Sequence, residues 1–293
     1  MKFKFKKKSA DDIILDIVVY VVLIAFALIC LYPIWYVFVA SLADSTEITK
    51  NPGMMLWPEK IVTESYKMVF TNSLFMKSFF NSIKILLLAL PINIVLTLLC
   101  GYFLACSGMM WKKPLAMLVM FTMFFSGGMI PAYLNIKDLG LYNTIWALIL
   151  PGAMTVYNAI ICKTSIEAIP DSLKEAAYID GANDFQIIFK VILPLIKATI
   201  AVLVLYYGVA HWNSWFNASI YLKDNDKLPV QNILRSILIA NQDLSGSGGD
   251  EYNAYAETIK YAAIVISTFP ILCVYPFLQK YFAKGALIGA VKG

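Results

Sequence analysis

Long apolar stretches separated by shorter polar segments dominate the hydrophobic pattern of this chain. Each stretch reaches roughly 20 residues, which is enough for an α-helix to cross about 30 Å of hydrocarbon. Because a bilayer leaves peptide groups without water, we expect the stretches to be helical. The pattern predicts an all-α integral membrane protein, a single transmembrane domain with six transmembrane helices at about residues 13–40, 81–106, 114–133, 142–162, 191–216 and 258–282.

The first apolar stretch follows a lysine-rich N-terminus. Five lysines lie within residues 1–8, and the apolar run then continues from Ile13 to Ala40. A cleavable signal peptide is the alternative interpretation, with Ser41-Leu42-Ala43 as an acceptable cleavage site. The apolar region of a signal peptide is shorter than this run, so we favour a retained transmembrane helix.

Composition and charge agree with a membrane protein and indicate its orientation. Hydrophobic residues make up 60% of the chain and charged residues 15%, and the mean hydropathy is +0.70, unlike a soluble domain. The net charge is +5, and thirteen basic residues lie in the two tails and in the segments after the second and fourth stretches, against nine in the other, longer connecting segments. Because basic residues beside spans mark the cytoplasmic side, we expect both termini in the cytoplasm and no nucleic-acid partner.

The sequence lacks motifs for binding ATP or a metal. No G-x-x-x-x-G-K-[ST] phosphate loop occurs. The five cysteines have neither CxxC spacing nor a neighbouring histidine pair, so we expect no disulfide framework and no metal site. The centres of the stretches contain no chain of acidic or histidine residues of the kind that proton-coupled transporters use. We expect no catalytic residue and no cofactor on this chain, and energy for transport must come from a partner.

One segment, residues 163–190, is polar and patterned where the rest of the chain is mostly apolar. Good helix formers predict a short helix at about 171–179, and Gly181 stands where a helix ends through a left-handed residue. Asn183 then provides a second N-cap, with Gln186 three positions later. The prediction is a helix-turn-helix, whose first helix is too short to be stable in water unless it packs against something.

The sequence of this segment resembles the EAA loop of binding-protein-dependent ABC importer permeases. It reads Glu175-Ala176-Ala177-Tyr178-Ile179-Asp180-Gly181, followed by Ile192-Leu193-Pro194, and the family pattern is E-A-A-x-x-x-G followed by I-x-L-P. The D-G-A extension at residues 180–182 resembles the carbohydrate branch of the family, to which the second permease of the maltose importer belongs. A solvated loop without a partner is the alternative interpretation.

The resemblance implies a role for this loop and a set of partners. In the family, the short cytoplasmic helix is a coupling helix that docks into a cleft of a separate ATPase subunit. This carry-over makes Glu175, Ala176, Ala177, Asp180 and Gly181 the ATPase-coupling residues. The implied partners are a homologous second permease, two cytoplasmic ATPase subunits that bind ATP and Mg, and an extracytoplasmic solute-binding protein, all at a bacterial cytoplasmic membrane.

Three further segments resemble the same family. Residues 124–131 contain F-S-G-G-x-I-P, which resembles permeases for oligosaccharides released from complex polysaccharides; small residues for close helix packing are an equal alternative. Residues 211–217 resemble the W-N-x-F region at the end of the fifth helix, and the C-terminus resembles the family ending G-A-V-K-G. The polar stretch 218–257 resembles an external loop that reaches into the binding protein, or is a mobile loop without a partner. We therefore expect an importer of oligosaccharides.

Candidate sugar contacts lie on the fourth and fifth stretches. Sugars are bound by aromatic faces together with hydrogen-bonding side chains. By residue type the candidates for the substrate path are Tyr157, Asn158, Tyr206, Tyr207, Trp212, Asn213 and Trp215. Helix packing or an interfacial aromatic belt is the alternative for each of them, and we interpret His211, at a helix end, as interfacial.

Two other function classes remain open at this stage. One is a permease of the same superfamily for a non-sugar solute, such as an amino acid or an inorganic anion. The other is a channel, enzyme or transporter that needs no ATPase. Co-purification with or without a nucleotide-binding subunit distinguishes the second class, and the ligand of the binding protein distinguishes the first.

Overall fold

A computed structural model describes residues 10–51, 53–106, 111–240, 255, 257–274 and 276 of the chain. Those residues form helices and connecting turns, without a β-strand in the ranges just given. The α-helices are α1 (Ala10–Ala40), α2 (Ser45–Lys50), α3 (Glu64–Thr71), α4 (Ser73–Ala105), α5 (Lys112–Phe124), α6 (Met129–Asp138), α7 (Trp146–Ile149), α8 (Val156–Glu167), α9 (Asp171–Ile179), α10 (Asp184–Gln186), α11 (Leu193–Leu195), α12 (Lys197–Trp212), α13 (Trp215–Tyr221), α14 (Val230–Ala240) and α15 (Glu257–Val274).

The chain divides into two compact units, and the smaller one comprises Met1–Thr71 and Asn241–Ile266. The segment that follows α1 contains two short helices, α2 and α3, and folds back onto the end of α1. Trp35 Nε1 donates to the carbonyl of Leu56 at 2.9 Å, and Ser65 Oγ donates to Thr258 Oγ1 at 2.7 Å. These hydrogen bonds hold the segment in place although it contains no long helix.

The larger unit, Asn72–Ala240 and Ser267–Gly293, is organised along the 33-residue helix α4. This helix begins earlier than the predicted residue 81 because Asn72 caps it, accepting from the backbone N–H of Phe75 at 2.8 Å. Helices α8 and α12 pack along α4. Gly101 of α4 permits the close approach of α8, since a Cβ atom there would lie 2.8 Å from Cys162 Cβ.

The third predicted span is broken. We expected one helix across 114–133, but α5 ends at Phe124 and α6 starts at Met129, with a 114° bend between them. The Ser-Gly-Gly sequence at 126–128 explains the break, because Gly128 has φ +88°, which a helix cannot accommodate.

The fourth predicted span, 142–162, is also not continuous. It consists of the single turn α7, an irregular stretch around Pro151 and Gly152, and the 12-residue helix α8, which continues past the predicted end. Proline and glycine together interrupt the backbone hydrogen bonds. Asn93 of α4 supplies replacements, since its amide donates to the carbonyls of Gly152 at 3.1 Å and Ala153 at 2.8 Å.

The fifth predicted span bends too. A π-helical turn at Ile187–Ile192 leads into α11, and the segment Asp184–Leu195 meets α12 at 89°. The predicted boundaries of 191–216 therefore include a corner before α12 and the break at Asn213 after it.

Helix α14 lies within the stretch that we expected to be a polar loop. Its apolar side chains Val230, Ile233, Leu234 and Ile237 are buried. Their spacing of i, i+3, i+4 and i+7 is the signal of an amphipathic helix that the sequence analysis missed.

Within the described residues, three helices are long and apolar enough to span a bilayer, and five spans result if each bent pair counts as one. The all-α membrane fold is confirmed, whereas the count of six spans and the single-domain assignment stay predictions. The N-terminal lysines, the Gly/Ser run at 245–249 and the C-terminal G-A-V-K-G lie outside the described residues.

Candidate functional site

Helix α9 covers Asp171–Ile179, the residues predicted for the short helix. Pro170 precedes it with an extended backbone, and the carboxylate of Asp171 lies in the first turn, where the helix dipole favours negative charge. Lys174 Nζ lies 3.0 Å from Asp171 Oδ1. Local sequence therefore defines where this helix begins.

Gly181 ends the helix in a left-handed conformation, as the sequence predicted, and the turn is a Schellman motif. Its φ is +80°, and its N–H donates to the carbonyl of Tyr178 at 3.0 Å. The N–H of Ala182 donates to the carbonyl of Ala177, also at 3.0 Å. This pair of bonds satisfies carbonyls at the helix end and reverses the chain within a few residues.

A capping box starts the second helix of the loop. Asn183 Oδ1 accepts from the backbone N–H of Gln186 at 2.9 Å, and Gln186 Oε1 accepts from the backbone N–H of Asn183 at 3.0 Å. Both donors are thus satisfied within the loop. Local signals therefore define where both helices of the predicted helix-turn-helix begin and where the first one ends.

The predicted coupling residues lie on an open surface. Helix α9 has no buried residue, and Glu175, Ala176, Asp180 and Gly181 are exposed. Ala177 is half-buried against a core cluster that includes Leu98, Ile166 and Ile187. Within the larger unit, α9 therefore packs against this core cluster through Ala177.

Large apolar side chains on the loop are also exposed. Leu173, Ile179 and Phe185 are exposed by 46%, 86% and 65%, and none of them enters the core cluster. Exposed apolar side chains on two neighbouring short helices suit a contact surface for another molecule.

Two phenols and a carboxylate join this loop to α4. Asp184 Oδ1 accepts from Tyr178 Oη at 2.5 Å and from Tyr102 Oη at 2.7 Å, and the two phenol oxygens lie 3.0 Å apart. Hydrogen bonds from Tyr178 and Tyr102 hold the pKa of Asp184 below its ordinary value, and the bond to Asp184 raises the pKa of Tyr178. The sequence analysis missed Tyr102, which lies in an apolar stretch without a local motif.

A cavity of about 200 Å³ borders this group of side chains. Tyr102, Ala105 and Ile166 line one side of it, and Lys174 and Glu175 line the side formed by α9. No group of three or more His, Cys, Asp or Glu side chains in the described part of the chain is arranged to hold a metal ion.

The candidate sugar contacts separate into exposed and buried groups. Tyr157 of α8 and Tyr206 of α12 are exposed, with ring centroids 6.4 Å apart, and Asn213 is exposed at the end of α12. Asn158 is buried. Trp215 is partly covered by the guanidinium of Arg235, which lies 3.7 Å from the ring centroid.

Tyr207 and Trp212 are almost completely buried and have partners inside the protein. Tyr207 Oη accepts from the backbone N–H of Thr155 at 3.1 Å and lies 2.6 Å from Thr97 Oγ1. Trp212 Nε1 donates to the carbonyl of Ser267 at 3.1 Å. These contacts connect helices, and they leave Tyr157 and Tyr206 as the open aromatic pair.

The interfacial interpretation of His211 was wrong. The side chain is buried, and its Nε2 lies 3.0 Å from Asn93 Oδ1. Local pattern does not pair two residues so far apart in the chain, because each lies alone in an apolar stretch.

The described residues form an all-α fold with apolar helices, broken candidate spans and an exposed helix-turn-helix. Residues 77–287 match the family described as "Binding-protein-dependent transport system inner membrane component". The chain belongs to that family. It is a permease component of a transport system and not an enzyme on its own.

Relatives and solved structures agree with this assignment. The chain is 41% identical over 281 residues to the polygalacturonan/rhamnogalacturonan transport system permease protein YtcP of Bacillus subtilis, which covers 95% of this chain and 98% of the relative. It is also 41% identical over 268 residues to protein LplC of the same organism, with 90% of each chain covered. A chain in the crystal structure of a bacterial ABC transporter that imports the acidic polysaccharide alginate has a TM-score of 0.85 and 32% identity, covering 94% of this chain and 99% of that one.

Proposed function

We propose that this chain is one of two permease subunits of an ATP-driven importer of oligosaccharides at a bacterial cytoplasmic membrane. In this proposal, a binding protein delivers the sugar from outside, and two ATPase subunits on the cytoplasmic side supply the energy. Relatives named for polygalacturonan/rhamnogalacturonan and alginate transport support uronic-acid oligosaccharides as the first substrates to test.

The open surface of α9 is the observation that carries the proposal. Nine residues cannot sustain an isolated helix in water, and Leu173, Ile179 and Phe185 leave a substantial apolar area exposed. A helix laid into a groove of a partner buries such side chains. The resemblance to the EAA loop supports the ATPase as that partner, with Glu175, Ala176, Ala177, Asp180 and Gly181 at the contact.

Transport then follows from two linked equilibria. Closure of the ATPase pair on ATP displaces the docked helices, and the paired permeases change from inward-open to outward-open. A loaded binding protein favours the same outward-open state, so sugar stimulates hydrolysis by reciprocal coupling. The rings of Tyr157 and Tyr206 suit the substrate path because both side chains are exposed and aromatic faces stack on sugars.

The test is purification of the tagged chain with its native partners, followed by ATPase assays in proteoliposomes. We expect a nucleotide-binding subunit in the complex and hydrolysis stimulated by the loaded binding protein with galacturonate oligosaccharides. A solute screen of the binding protein identifies a non-sugar substrate if there is one. An active complex without an ATPase subunit contradicts the proposal.

A matched pair of variants tests the role of α9 itself. Ile179→Glu places a charge on the most exposed apolar side chain of the helix, and we expect loss of the ATPase subunit and of stimulated hydrolysis. Ile61→Glu makes the same change at a side chain exposed by 57% outside the loop, and we expect full assembly. Normal assembly of the Ile179→Glu variant contradicts docking through α9.

A further inference from the structure

A coupling helix must transmit displacement as well as bind a partner, and α9 has little apolar packing on the core cluster through which to do so. It has no buried residue, and only Ala177 and the adjoining Ala182 pack against the core cluster of the larger unit. Apolar packing over two alanines resists sliding weakly, because each contact contributes little energy and has no direction. A directional attachment between α9 and a long helix would supply the missing stiffness.

We propose that Tyr102, Tyr178 and Asp184 form a clamp that makes α9 and α4 move together, so that work done on α9 by an ATPase reaches the membrane-spanning helices. The proposal rests on the proposed function, which supplies the displacement of α9. The three side chains are positioning residues: they contact neither the sugar nor nucleotide, and they act through α9.

The geometry of the clamp joins three elements at one atom. Tyr102 lies in the last turn of α4, Tyr178 in the last turn of α9, and Asp184 is the first residue of α10. Both phenols donate to the same oxygen of Asp184, at 2.7 and 2.5 Å. Bonds from a phenol to a carboxylate at these lengths are about twice as strong as bonds between neutral groups.

The clamp is positioned by its surroundings on both sides. The ring of Tyr102 is buried in the core cluster with Leu98, Ile166 and Ile187, so its hydroxyl group is held in place. The Schellman turn at Gly181 and the capping box at Asn183 hold Asp184 opposite Tyr178. A relative movement of α9 and α4 therefore has to break bonds to Asp184.

Variants that each remove one polar group of the clamp distinguish a loss of coupling from a loss of folding. Tyr102→Phe and Tyr178→Phe each remove one hydroxyl group, and Asp184→Ala removes the acceptor. We expect complexes that still assemble and still hydrolyse ATP, whereas sugar transported per ATP hydrolysed falls by at least about fivefold, the lower end of typical coupling effects. Asp184→Asn keeps a neutral acceptor and should lie between the wild type and Asp184→Ala.

The double variant Tyr102→Phe/Tyr178→Phe provides an internal check. If the three groups act as a unit, adding Asp184→Ala to this double variant should change the transport-to-hydrolysis ratio little further. Tyr20→Phe is the control, because Tyr20 is exposed on α1 and we expect its ratio to equal that of the wild type.

Hydrogen exchange provides a readout that does not depend on transport. We expect the amides of residues 171–179 to exchange faster in Asp184→Ala than in the wild type and Tyr20→Phe, because the helix opens locally more often once it is released. Unchanged exchange in Asp184→Ala overturns the clamp. A ratio that stays constant while uptake and hydrolysis fall together overturns its role in coupling. A wild-type complex with no ATP-driven uptake contradicts the proposed function instead, and the exchange result still decides whether the clamp exists.

Discussion

Asn93 satisfies backbone carbonyls at the break between α7 and α8, inside an apolar bundle of helices. Its amide donates to the carbonyls of Gly152 and Ala153, and its oxygen faces His211 Nε2. Because Oδ1 of Asn93 can only accept, Nε2 of His211 carries the proton in this arrangement. Unpaired carbonyls in hydrocarbon would each cost several kcal/mol, so the break between α7 and α8 depends on this amide.

Gly101 sets the distance between α4 and α8, and its replacement is a test of their packing. A Cβ atom at this position would lie 2.8 Å from Cys162 Cβ and 2.9 Å from its Sγ. We expect Gly101→Ala to destabilise the protein by about 1–3 kcal/mol through overpacking. The measurement is the midpoint of thermal unfolding in detergent.

Gly208 of α12 provides the matched control for Gly101. A Cβ atom there meets no other atom within 4 Å, and alanine is the better helix former by about 1 kcal/mol. Gly208→Ala should therefore leave the unfolding midpoint unchanged or raise it. Equal midpoints for the two variants would show that α8 does not pack as closely on α4 as described.

The residues that sequence analysis predicted and those that it missed differ in how far along the chain their partners lie. Gly181, Asn183 and Gln186 were predicted because a turn or a cap is defined within a few residues. Tyr102 and Asn93 were missed because their partners are 82 and 118 residues away, Asp184 and His211. A polar side chain inside an apolar stretch indicates that a partner exists, but local pattern does not identify it.

At the scale of elements, hydrophobic length predicted that the chain crosses a membrane but not where its helices bend. The breaks at Gly128 and around Gly152 occur at glycines and prolines, which are recognisable in the sequence as residues that interrupt helices. A bend at such residues depends on whether another helix can satisfy the released backbone groups. Helix α14 was missed for a different reason, because the polar composition of the whole 218–257 stretch concealed its local periodicity.

Replacing Gly181 in the turn after α9 tests the backbone conformation there without introducing a steric clash. A Cβ atom at Gly181 meets nothing within 4 Å, but φ is +80°. The cost of a side chain there is therefore conformational, about 1–2 kcal/mol for an ordinary L-residue. Since 1.4 kcal/mol is a factor of ten in population, Gly181→Val should reduce oligosaccharide uptake by roughly tenfold or more while membrane insertion continues.

Asparagine distinguishes the backbone requirement at Gly181 from a requirement for glycine itself. Asparagine adopts positive φ more readily than other non-glycine residues, so Gly181→Asn should retain much of the uptake in the same cells. Uptake has to be compared at equal amounts of membrane-inserted protein. Wild-type uptake in Gly181→Val would contradict the role of the turn in coupling.

At the scale of the whole molecule, the proposed function predicts that α9 lies in the cytoplasm and that the segment before α14 lies outside the cell. Between α9 and residue 225 the chain contains one candidate span, the bent pair Asp184–Leu195 and Lys197–Trp212, and we expect this pair to cross the membrane once. One crossing reverses the side, so a cytoplasmic α9 places residue 225 outside. This relation does not depend on the total number of spans.

Single cysteines at Ser172 and Asn225 test this orientation. Both positions are exposed, Ser172 on α9 and Asn225 in the turn Asn225–Lys227. We expect a membrane-impermeant maleimide to label Asn225→Cys in intact cells, above the labelling of the parent chain with its five native cysteines. Ser172→Cys should react only after the cells are permeabilised. Labelling of Ser172→Cys in intact cells would place the loop where no cytoplasmic ATPase can reach it, and labelling of both variants there would show that the bent pair does not cross the membrane.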